Sequence, residues 1–447
     1  MVKVCKFGGS SLASREQIDK VIDIIMADDN RRFVVVSAPG KRNKDDIKVT
    51  DMLIRAADDK PYASAVIDRF GDLLHEESGL VGSLSLELNR RLNQPRETVK
   101  EQERYLDGVK AFGEYAFARA FTLILNGKGI ESEFFDTPDL GFKIHRRAKD
   151  NCPHPDCYCE IGRKLKRFSG RVAVIPGFYG HDSDGNLATL PRNGSDTSGA
   201  VIARAVNASE YENWTDEDGL RAANPTIVTN PRKINEITYR EVRELAYIDF
   251  KLQSDSLVPL IQDNIPMRVC NTNNVAELGT FVVGNRLVSA DESIVGVAAK
   301  KGYVSVNLSK MMMNEEEGFG NDVFGVFAEE KIPYEHTPTG IDTMSIIVKR
   351  AYLEKPGKLD ELMRKLNDKR GPLEISLGDH MAMVAVAGLG IRRNPAGIYS
   401  RALGSLAKQG IQVYSTNMGA SDMSFFIGVE EAKADDSVRA IYKEFFE

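Results

Sequence analysis

Two stretches of the sequence carry residues suited to holding a negatively charged group. In the first, Lys6 precedes the glycine pair Gly8 and Gly9, and Ser10 follows. Glycine lets the backbone turn sharply and bring its N–H groups against an anion, and a lysine adds a positive charge at the edge. The stretch matches neither GxGxxG nor GxxxxGK[ST], and a purely structural glycine turn has the same pattern.

The second stretch, residues 188–200, also passes from a tight turn into a helix. Arg192 comes just before that helix, and a guanidinium there can hold a carboxylate through two hydrogen bonds. Ser195, Asp196 and Thr197 are candidates for the helix N-cap. Because the serine and the threonine suffice for capping, we expect Asp196 to have a further role.

A further candidate functional residue is Glu114. It lies in a predicted helix over residues 110–125 that is apolar on most sides. Burying an unpaired carboxylate costs several kcal/mol. We therefore expect Glu114 either to be functional or to form a structural ion pair.

The elements that position these residues follow from hydrophobic periodicity. The apolar run at residues 2–7 predicts a buried strand, a second strand is predicted at 33–37, and a strand followed by a turn is predicted at 172–180. The helix after the first strand has one apolar face formed by Ile18, Val21, Ile22 and Ile25. Alternating strands and helices predict a mostly parallel sheet covered by helices, with ligands beyond the C-terminal ends of its strands.

Composition narrows the class of protein. A chain of 447 residues is long enough for two or three domains. A net charge of −6 argues against nucleic acid or an anionic membrane as the main partner. We expect no membrane span and no signal peptide. The odd number of cysteines, five, suits reduced thiols and a cytoplasmic location.

Three of the cysteines lie close together with a histidine, as Cys152, His154, Cys157 and Cys159. Zinc would accept these ligand types, but their spacing fits no common structural zinc site. We therefore predict a plain loop and no metal site.

The C-terminal third contains a repeat. Residues 324–332 recur as residues 403–411, an offset of 403 − 324 = 79. Three further residues return at this offset, namely Gly340, Met344 and Ser345 as Gly419, Met423 and Ser424. Each copy is too small to bury a face alone, so we expect the two copies to pack together.

Three motifs carry a resemblance to a known family, and the resemblance spans essentially the whole chain. The motifs are KFGGSS at residues 6–11, TLPRNGSDTSGA at 189–200 and WTDEDGLRAANPTIV at 214–228. In order and spacing they resemble the aspartate kinases of the amino-acid-kinase superfamily. The resemblance implies an α/β amino-acid-kinase fold, with a mostly parallel sheet sandwiched by helices, followed by two ACT domains of order βαββαβ. The implied boundaries are 1–285 for the kinase domain, 300–375 for the first, inserted ACT domain, and 290–299 with 376–447 for the second.

The implied activity is transfer of the ATP γ-phosphoryl group to the side-chain carboxylate of L-aspartate, with Mg²⁺ held mainly by the nucleotide. The product would be 4-phospho-L-aspartate, the first step toward lysine, threonine and methionine. The resemblance assigns catalysis to Lys6, Asp196 and Lys251. The ATP-binding positions that it implies are Lys6, Gly8, Gly9, Ser10, Thr215, Asp216, Asp218 and Lys251. The aspartate-binding positions are Ser37, Thr50, Glu114, Arg192 and Ser195.

The implied ACT domains predict feedback control by an amino-acid effector, with lysine the first ligand to consider and threonine the second. The effector positions would be Met313, Phe319, Gly320, Thr339, Asp342 and Ser345. We also expect a homodimer or homotetramer formed through these domains. The alternative is that the domains only dimerise the protein.

The chain departs from the family pattern at several positions, including Pro191, Asn193, Arg221 and Phe250. Phe117 also replaces a serine common on the helix of Glu114. Two alternatives therefore stand beside an aspartate kinase. One is an amino-acid kinase directed at glutamate or carbamate, although such kinases lack the tandem repeat. The other is a non-catalytic or altered-specificity amino-acid sensor on the same fold.

Overall fold

The structure, a computed structural model, describes residues 1–59, 61–74, 78–147, 150–191, 193–246, 254–289 and 292–447. The described part of the chain divides into two units. The first comprises Met1–Leu220, Lys233–Tyr239 and Leu252–Arg286, and the second comprises Arg221–Arg232, Arg240–Lys251 and Leu287–Glu447.

Strands up to residue 286 are β1 (Lys3–Phe7), β2 (Arg31–Val36), β3 (Ser132–Phe134), β4 (Ile144–His145), β5 (Cys152–Pro153), β6 (Val172–Pro176), β7 (Tyr179–His181), β8 (Leu187–Thr189), β9 (Glu210–Thr215), β10 (Glu236–Thr238), β11 (Met267–Asn271) and β12 (Thr280–Val283). Helices in the same region are α1 (Arg15–Met26), α2 (Val49–Ala56), α3 (Pro61–Leu74), α4 (Ser78–Leu92), α5 (Val99–Gly127), α6 (Thr137–Leu140), α7 (Cys157–Leu165), α8 (Gly194–Ala205), α9 (Tyr239–Ala246) and α10 (Ser254–Gln262).

The main sheet of the first unit has the strand order β10-β12-β11-β9-β1-β2-β6-β3. Strand β1 is central and runs parallel to both β2 and β9, whereas β12 is antiparallel to β11. This confirms the predicted, mostly parallel sheet. The C-terminal ends of β1, β2 and β9 therefore meet at one edge, where the glycine turn follows β1.

Helix α1 buries the face that the sequence predicts. Ile18, Val21, Ile22 and Ile25 belong to a core cluster that also contains residues of α2–α5. Among the three serines before the helix, Ser14 is the N-cap, and its side chain accepts a hydrogen bond from the Gln17 N–H at 3.4 Å. Ser10 lies instead in the short 3-10 turn Gly9–Leu12.

Helix α5 begins earlier than the predicted residue 110. Thr98 and Glu101 form a reciprocal capping box, in which Glu101 N–H donates to Thr98 Oγ1 at 3.2 Å and Thr98 N–H donates to Glu101 Oε2 at 2.9 Å. The cap satisfies backbone groups that would otherwise fray, so the helix extends from Val99 to Gly127.

The predicted N-cap of α8 is also corrected. The helix starts at Gly194, and its N-cap is Asn193, a residue with a left-handed backbone (φ 61°) whose side chain makes no capping hydrogen bond among the described residues. Asparagine tolerates this conformation better than most side chains. Ser195, Asp196 and Thr197 therefore lie inside the first turn, where they do not act as the cap.

The second unit contains strands and helices in two modules. Its strands are β13 (Gly296–Ser309), β14 (Tyr334–His336), β15 (Thr343–Lys349), β16 (Glu374–Leu377), β17 (Met381–Ala387), β18 (Val413–Met418) and β19 (Ser424–Glu430). Its helices beyond residue 287 are α11 (Phe319–Glu329), α12 (Lys358–Arg370), α13 (Pro395–Lys408) and α14 (Ala434–Phe446), and it also contains α9 from Arg240 onward.

The sequence repeat corresponds to a structural repeat in this unit. Helix α11 is followed by the antiparallel pair β14 and β15, and helix α13 by the antiparallel pair β18 and β19. Strand β13 serves both copies: residues 303–309 pair with β15, and residues 296–303 pair with β17. The predicted boundary at 299/300 falls within this strand, next to its register shift between Lys300 and Tyr303.

Within the described ranges, no helix is both long enough and apolar enough to cross a bilayer.

Candidate active site

An ion pair between Lys6 and Asp196 lies at the C-terminal end of β1. Lys6 Nζ is 2.5 Å from Asp196 Oδ1, and the two side chains are 10% and 17% exposed. Asn213, paired with Lys6 in the sheet register, donates from Nδ2 to the same carboxylate oxygen at 3.3 Å. The carboxylate of Asp196 therefore holds the amine of Lys6 near the C-terminal ends of the strands. Sequence reasoning does not find Asn213, because its role depends on the register between β1 and β9.

The glycine turn after β1 is packed tightly against the loop after β2. A Cβ built on Gly9 would lie 2.8 Å from the carbonyl oxygen of Ala38 and 3.1 Å from the amide nitrogen of Gly40. Gly8 donates its N–H to the carbonyl of Trp214 at 3.1 Å, so that amide is already used. The first N–H groups of a helical turn have no intrahelical partner. Gly9 and Ser10 occupy those positions here.

Glu114 projects from α5 into this region and is 5% exposed. Its Oε2 atom has no hydrogen-bond partner among the described residues. Burial raises the pKa of Glu114 to about 8, against opposing effects from the N–H groups of Ala38 and of Glu114 itself and from the charge of Lys6. A buried carboxyl with an unmatched oxygen is suited to receive the ammonium group of a ligand. The sequence left open a functional role or a structural ion pair for Glu114. In the described part of the chain, Glu114 forms no side-chain ion pair, which favours the functional role.

Glycines let the two helices that carry Glu114 and Asp196 approach the sheet. A Cβ on Gly113 would lie 2.9 Å from Ala38 Cβ, and one on Gly199 would lie 2.5 Å from the Tyr211 hydroxyl. A Cβ at either glycine would force the neighbouring group to move. Small residues in α5 and α8 thus bring both carboxylates toward Lys6.

The turn after β9 contains the residues assigned to the nucleotide side. Thr215 Oγ1 and Asp216 Oδ1 are 3.2 Å apart. Asp218 Oδ1 accepts hydrogen bonds from Asn271 Nδ2 at 2.8 Å and Asn274 Nδ2 at 3.0 Å. These two asparagines, which sequence reasoning missed, fix the turn beside the C-terminal end of β11.

The remaining predicted substrate residues lie around the same edge. Ser37 follows β2 and donates its N–H to the carbonyl of Phe7 at 3.2 Å. Thr50 is in the first turn of α2. Ser195 is 7% exposed, and a Cβ on Gly177 would come within 2.7 Å of its Cβ. Three residues singled out from the sequence lie outside the described residues, namely Arg192, Phe250 and Lys251.

The predicted effector positions fall in two segments, residues 313–320 and 339–345, which are adjacent in the second unit. Asp342 Oδ1 accepts the N–H of Met312 at 2.7 Å, and the Asp342 carbonyl accepts the N–H of Lys310 at 2.9 Å. The side chains of Met313 and Phe319 are buried in a core cluster that also contains residues of β13, β15, α11 and α12. The remaining effector positions lie nearer the surface: Gly320 in α11, exposed Thr339, and Ser345, whose hydroxyl donates to Asn307 Oδ1 at 2.8 Å.

In the part of the chain that the structure describes, no group of three or more histidine, cysteine, aspartate or glutamate side chains is arranged to hold a metal ion. All five cysteines lie in the described ranges and are free thiols. Helix α7 begins at Cys157, so the segment predicted as a plain loop becomes helical there.

Comparison with known proteins defines the class to which this fold and site belong. The profile of the amino acid kinase family matches residues 1–271, and an ACT domain profile matches residues 384–445. Because the first match covers more than half of the sequence, the chain belongs to the amino acid kinase family. This confirms the predicted superfamily and the predicted fold.

Full-length relatives narrow the class to aspartokinases. Aspartokinase 3 of Bacillus subtilis (strain 168) is 37% identical over 454 residues, covering 100% of this chain and 99% of that protein. The crystal structure of Clostridium acetobutylicum aspartate kinase has a TM-score of 0.84 at 30% identity, covering 99% of this chain and 100% of that chain. E. coli aspartokinase III in complex with aspartate and ADP shares the fold, with a TM-score of 0.79 at 22% identity over 100% of both chains.

Proposed function

We propose that this chain transfers the γ-phosphoryl group of ATP to the side-chain carboxylate of L-aspartate and forms 4-phospho-L-aspartate. The observation that best supports this reaction is the Lys6–Asp196 pair, 2.5 Å apart, beside the glycine turn at the C-terminal end of β1. The relatives named aspartokinase point to the same reaction. The product would feed the biosynthesis of lysine, threonine and methionine.

The chemistry needs little more than charge neutralisation and placement. A carboxylate nucleophile is already ionised at neutral pH, so no strong base is required. Lys6 would neutralise the charge on the transferring phosphoryl group, and Asp196 with Asn213 would hold the amine in line. The N–H groups of Gly9 and Ser10, which as the first groups of a helical turn have no partner within that turn, would bind phosphate oxygens. Thr215, Asp216 and Asp218 would contact the nucleotide from the turn after β9.

Magnesium fits this site as part of the nucleotide. Mg²⁺ keeps several waters and usually binds through substrate phosphates and one or two carboxylates. When bound, the ion supplies further neutralisation of phosphate charge.

The amino-acid substrate would be oriented by groups from three elements. Glu114 would bind its ammonium group, since that buried carboxyl has an oxygen without a partner in the described structure. Ser37, Thr50 and Ser195 would contribute hydroxyl groups around it. Arg192 is assigned to a carboxylate of aspartate, and Lys251 to a second phosphate contact, on the sequence resemblance alone.

Trapping of the acyl phosphate with hydroxylamine tests the proposal. The purified chain with ATP, Mg²⁺ and L-aspartate should form aspartyl hydroxamate, and omission of either substrate should abolish it. Glutamate in place of aspartate tests the other kinase specificity. Absence of hydroxamate from a folded protein that still binds aspartate would favour the sensor alternative.

We further propose that the ACT modules bind an amino-acid effector, with lysine tested first and threonine second. An effector that binds the less active state more tightly shifts the population toward that state. Calorimetry with each amino acid, paired with the hydroxamate assay, tests this. No heat and no change in turnover with either ligand would leave the modules a dimerising role.

A homodimer or homotetramer formed through the ACT modules completes the proposal. Light scattering of the full chain, with and without lysine, measures the assembly. We place the protein in the cytoplasm, because its five free cysteines suit a reducing compartment.

A further inference from the structure

Arg146 joins two elements of the first unit that lie apart in sequence. Its Nη1 donates to Asp107 Oδ2 at 2.8 Å, its Nε to Asp182 Oδ2 at 2.9 Å, and its Nη2 to the carbonyl of Leu187 at 2.8 Å. Asp107 belongs to α5, whereas Asp182 and Leu187 belong to the hairpin of β7 and β8. One guanidinium thus ties this helix to this hairpin.

The two carboxylates are buried and further engaged. Asp107 is 7% exposed and Asp182 is 5% exposed. Thr189 Oγ1 donates to the second Asp107 oxygen at 2.6 Å. Asp182 Oδ1 accepts the N–H groups of Asp184 and Asn186 at 3.0 and 2.9 Å. Buried charges persist when they are paired and hydrogen-bonded, and removing one partner leaves the others uncompensated.

The joined elements carry residues that we assign to the amino-acid substrate. Glu114 follows Asp107 by 114 − 107 = 7 residues, which is two turns, so both lie on one side of α5 about 10 Å apart along its axis. On the other side of the link, β8 ends at Thr189 and the chain reaches Ser195 in the first turn of α8. Asn151 Nδ2 adds a second restraint by donating to the carbonyl of Thr189 at 2.8 Å.

We propose that Arg146 is a positioning residue for the amino-acid substrate. Through Asp107 and Asp182 it sets the spacing between Glu114 on α5 and Ser195 on α8. Substrate groups must be held within about 0.5 Å of the productive geometry, so a small shift of the hairpin weakens aspartate binding. Among the described residues, the hydrogen bonds of Arg146 go to α5 and to the hairpin, and none goes to the glycine turn that faces ATP. This inference rests on the proposed function.

The test compares two arginines with different structural consequences. Arg146→Gln should raise KM for aspartate about tenfold or more and change KM for ATP less than about twofold. Calorimetry should show that the dissociation constant for aspartate rises by the same factor as KM for aspartate. Arg171→Gln is the matched control. Arg171 lies just before β6 and donates to the carbonyls of Ile25 and Asp28, which are not residues that we assign to the substrate. The control variant should lower Tm while leaving KM for aspartate unchanged. Arg146→Lys should recover part of the aspartate affinity.

Equal changes in both Michaelis constants for Arg146→Gln, or an unchanged KM for aspartate in a folded variant, would overturn the inference. If Arg146→Gln does not fold, Thr189→Val decides the matter. It removes one hydrogen bond to Asp107 with little change in shape and should raise KM for aspartate about two- to fivefold. A wild-type chain that neither binds aspartate nor forms hydroxamate refutes the proposed function itself. A normal wild type with an unaffected Thr189→Val variant refutes only the role of Arg146.

Discussion

Lys6 and Asp196 form an ion pair of 2.5 Å in which both side chains are largely buried. The lysine comes from a central strand and the aspartate from the first turn of α8, so the pair joins two elements at the edge where the strands end.

Replacing Lys6 by methionine should lower kcat at least about 100-fold, since a preorganised charge facing the transferring group is lost. Asp196→Asn should lower kcat about 10- to 100-fold, because the amine of Lys6 loses its ion-pair partner but is still present. The double variant should be no slower than Lys6→Met alone, as residues that act as a unit are not additive. Initial rates of hydroxamate formation measure all three. Additive losses would show that the two residues act separately.

The affinity for aspartate should depend on pH through Glu114. The pKa of this carboxyl is about 8 because of its burial, so below pH 8 it is mainly neutral in the free protein. Only the ionised form attracts an ammonium group, so KM for aspartate should fall up to about tenfold per unit as pH rises from 6 to 8, then level off. Kinetics at saturating ATP across pH 6–9 measure it.

At pH 8–9, where Glu114 is ionised, Glu114→Gln should raise KM for aspartate about 10- to 100-fold, since a charge-assisted hydrogen bond contributes about 1.5–3 kcal/mol, and it should remove this pH dependence. Glu103→Gln, an exposed position on the same helix, is the control and should behave as wild type. Stability should respond in a matching way. The raised pKa means that the folded state keeps a proton that the unfolded state releases above pH 4.5, so wild-type stability falls as pH rises toward 8. The glutamine variant should lose less over that range.

The close approach of the glycine turn predicts opposite effects for two glycine-to-alanine changes. Gly9→Ala should cost about 1–3 kcal/mol of unfolding free energy and raise KM for ATP, because its Cβ would meet the Ala38 carbonyl at 2.8 Å. Gly71→Ala, in α3, should raise the unfolding free energy by about 0.5–1 kcal/mol, because no described atom other than those of its chain neighbours and its own helix backbone lies within 4 Å of the new Cβ. Urea denaturation measures both. Equal effects would mean that the turn can relax.

A negative charge at Asp342 should be required for inhibition by a cationic amino acid. Asp342→Asn keeps an oxygen that can accept the Met312 N–H, so the loop contact at 2.7 Å survives while the charge is lost. The concentration of lysine that halves activity should rise about tenfold or more. Asp360→Asn, an exposed acid on α12, should leave inhibition unchanged. An unaltered response of the Asp342 variant would remove this residue from the effector site.

The sequence alone predicts the elements whose pattern is local. The strand before the glycine turn, the apolar face of α1 and the tandem repeat all follow from short-range periodicity, and the structure contains each of them. The expectation that Asp196 does more than cap a helix agrees with its contact to Lys6. Motif resemblance supplied most of the remaining site residues.

What the sequence does not predict depends on tertiary pairing. Asn213 reaches Asp196 only because β9 and β1 are in one register. Arg146 meets two carboxylates that are 36 and 39 residues away, which no local pattern encodes. The starts of α5 and α8 differ from the predicted ones for a different reason. A capping box at Thr98 and a left-handed Asn193 determine them, and both compete with equally plausible polar residues nearby.

Strand β13 has a consequence for how the regulatory region can be taken apart. Each ACT module uses one part of this strand: residues 303–309 pair with β15, and residues 296–303 pair with β17. A splice that separates the two modules, for excision or for grafting, should therefore fall near the register shift between Lys300 and Tyr303. Because one continuous strand runs through both copies, we expect them to unfold together.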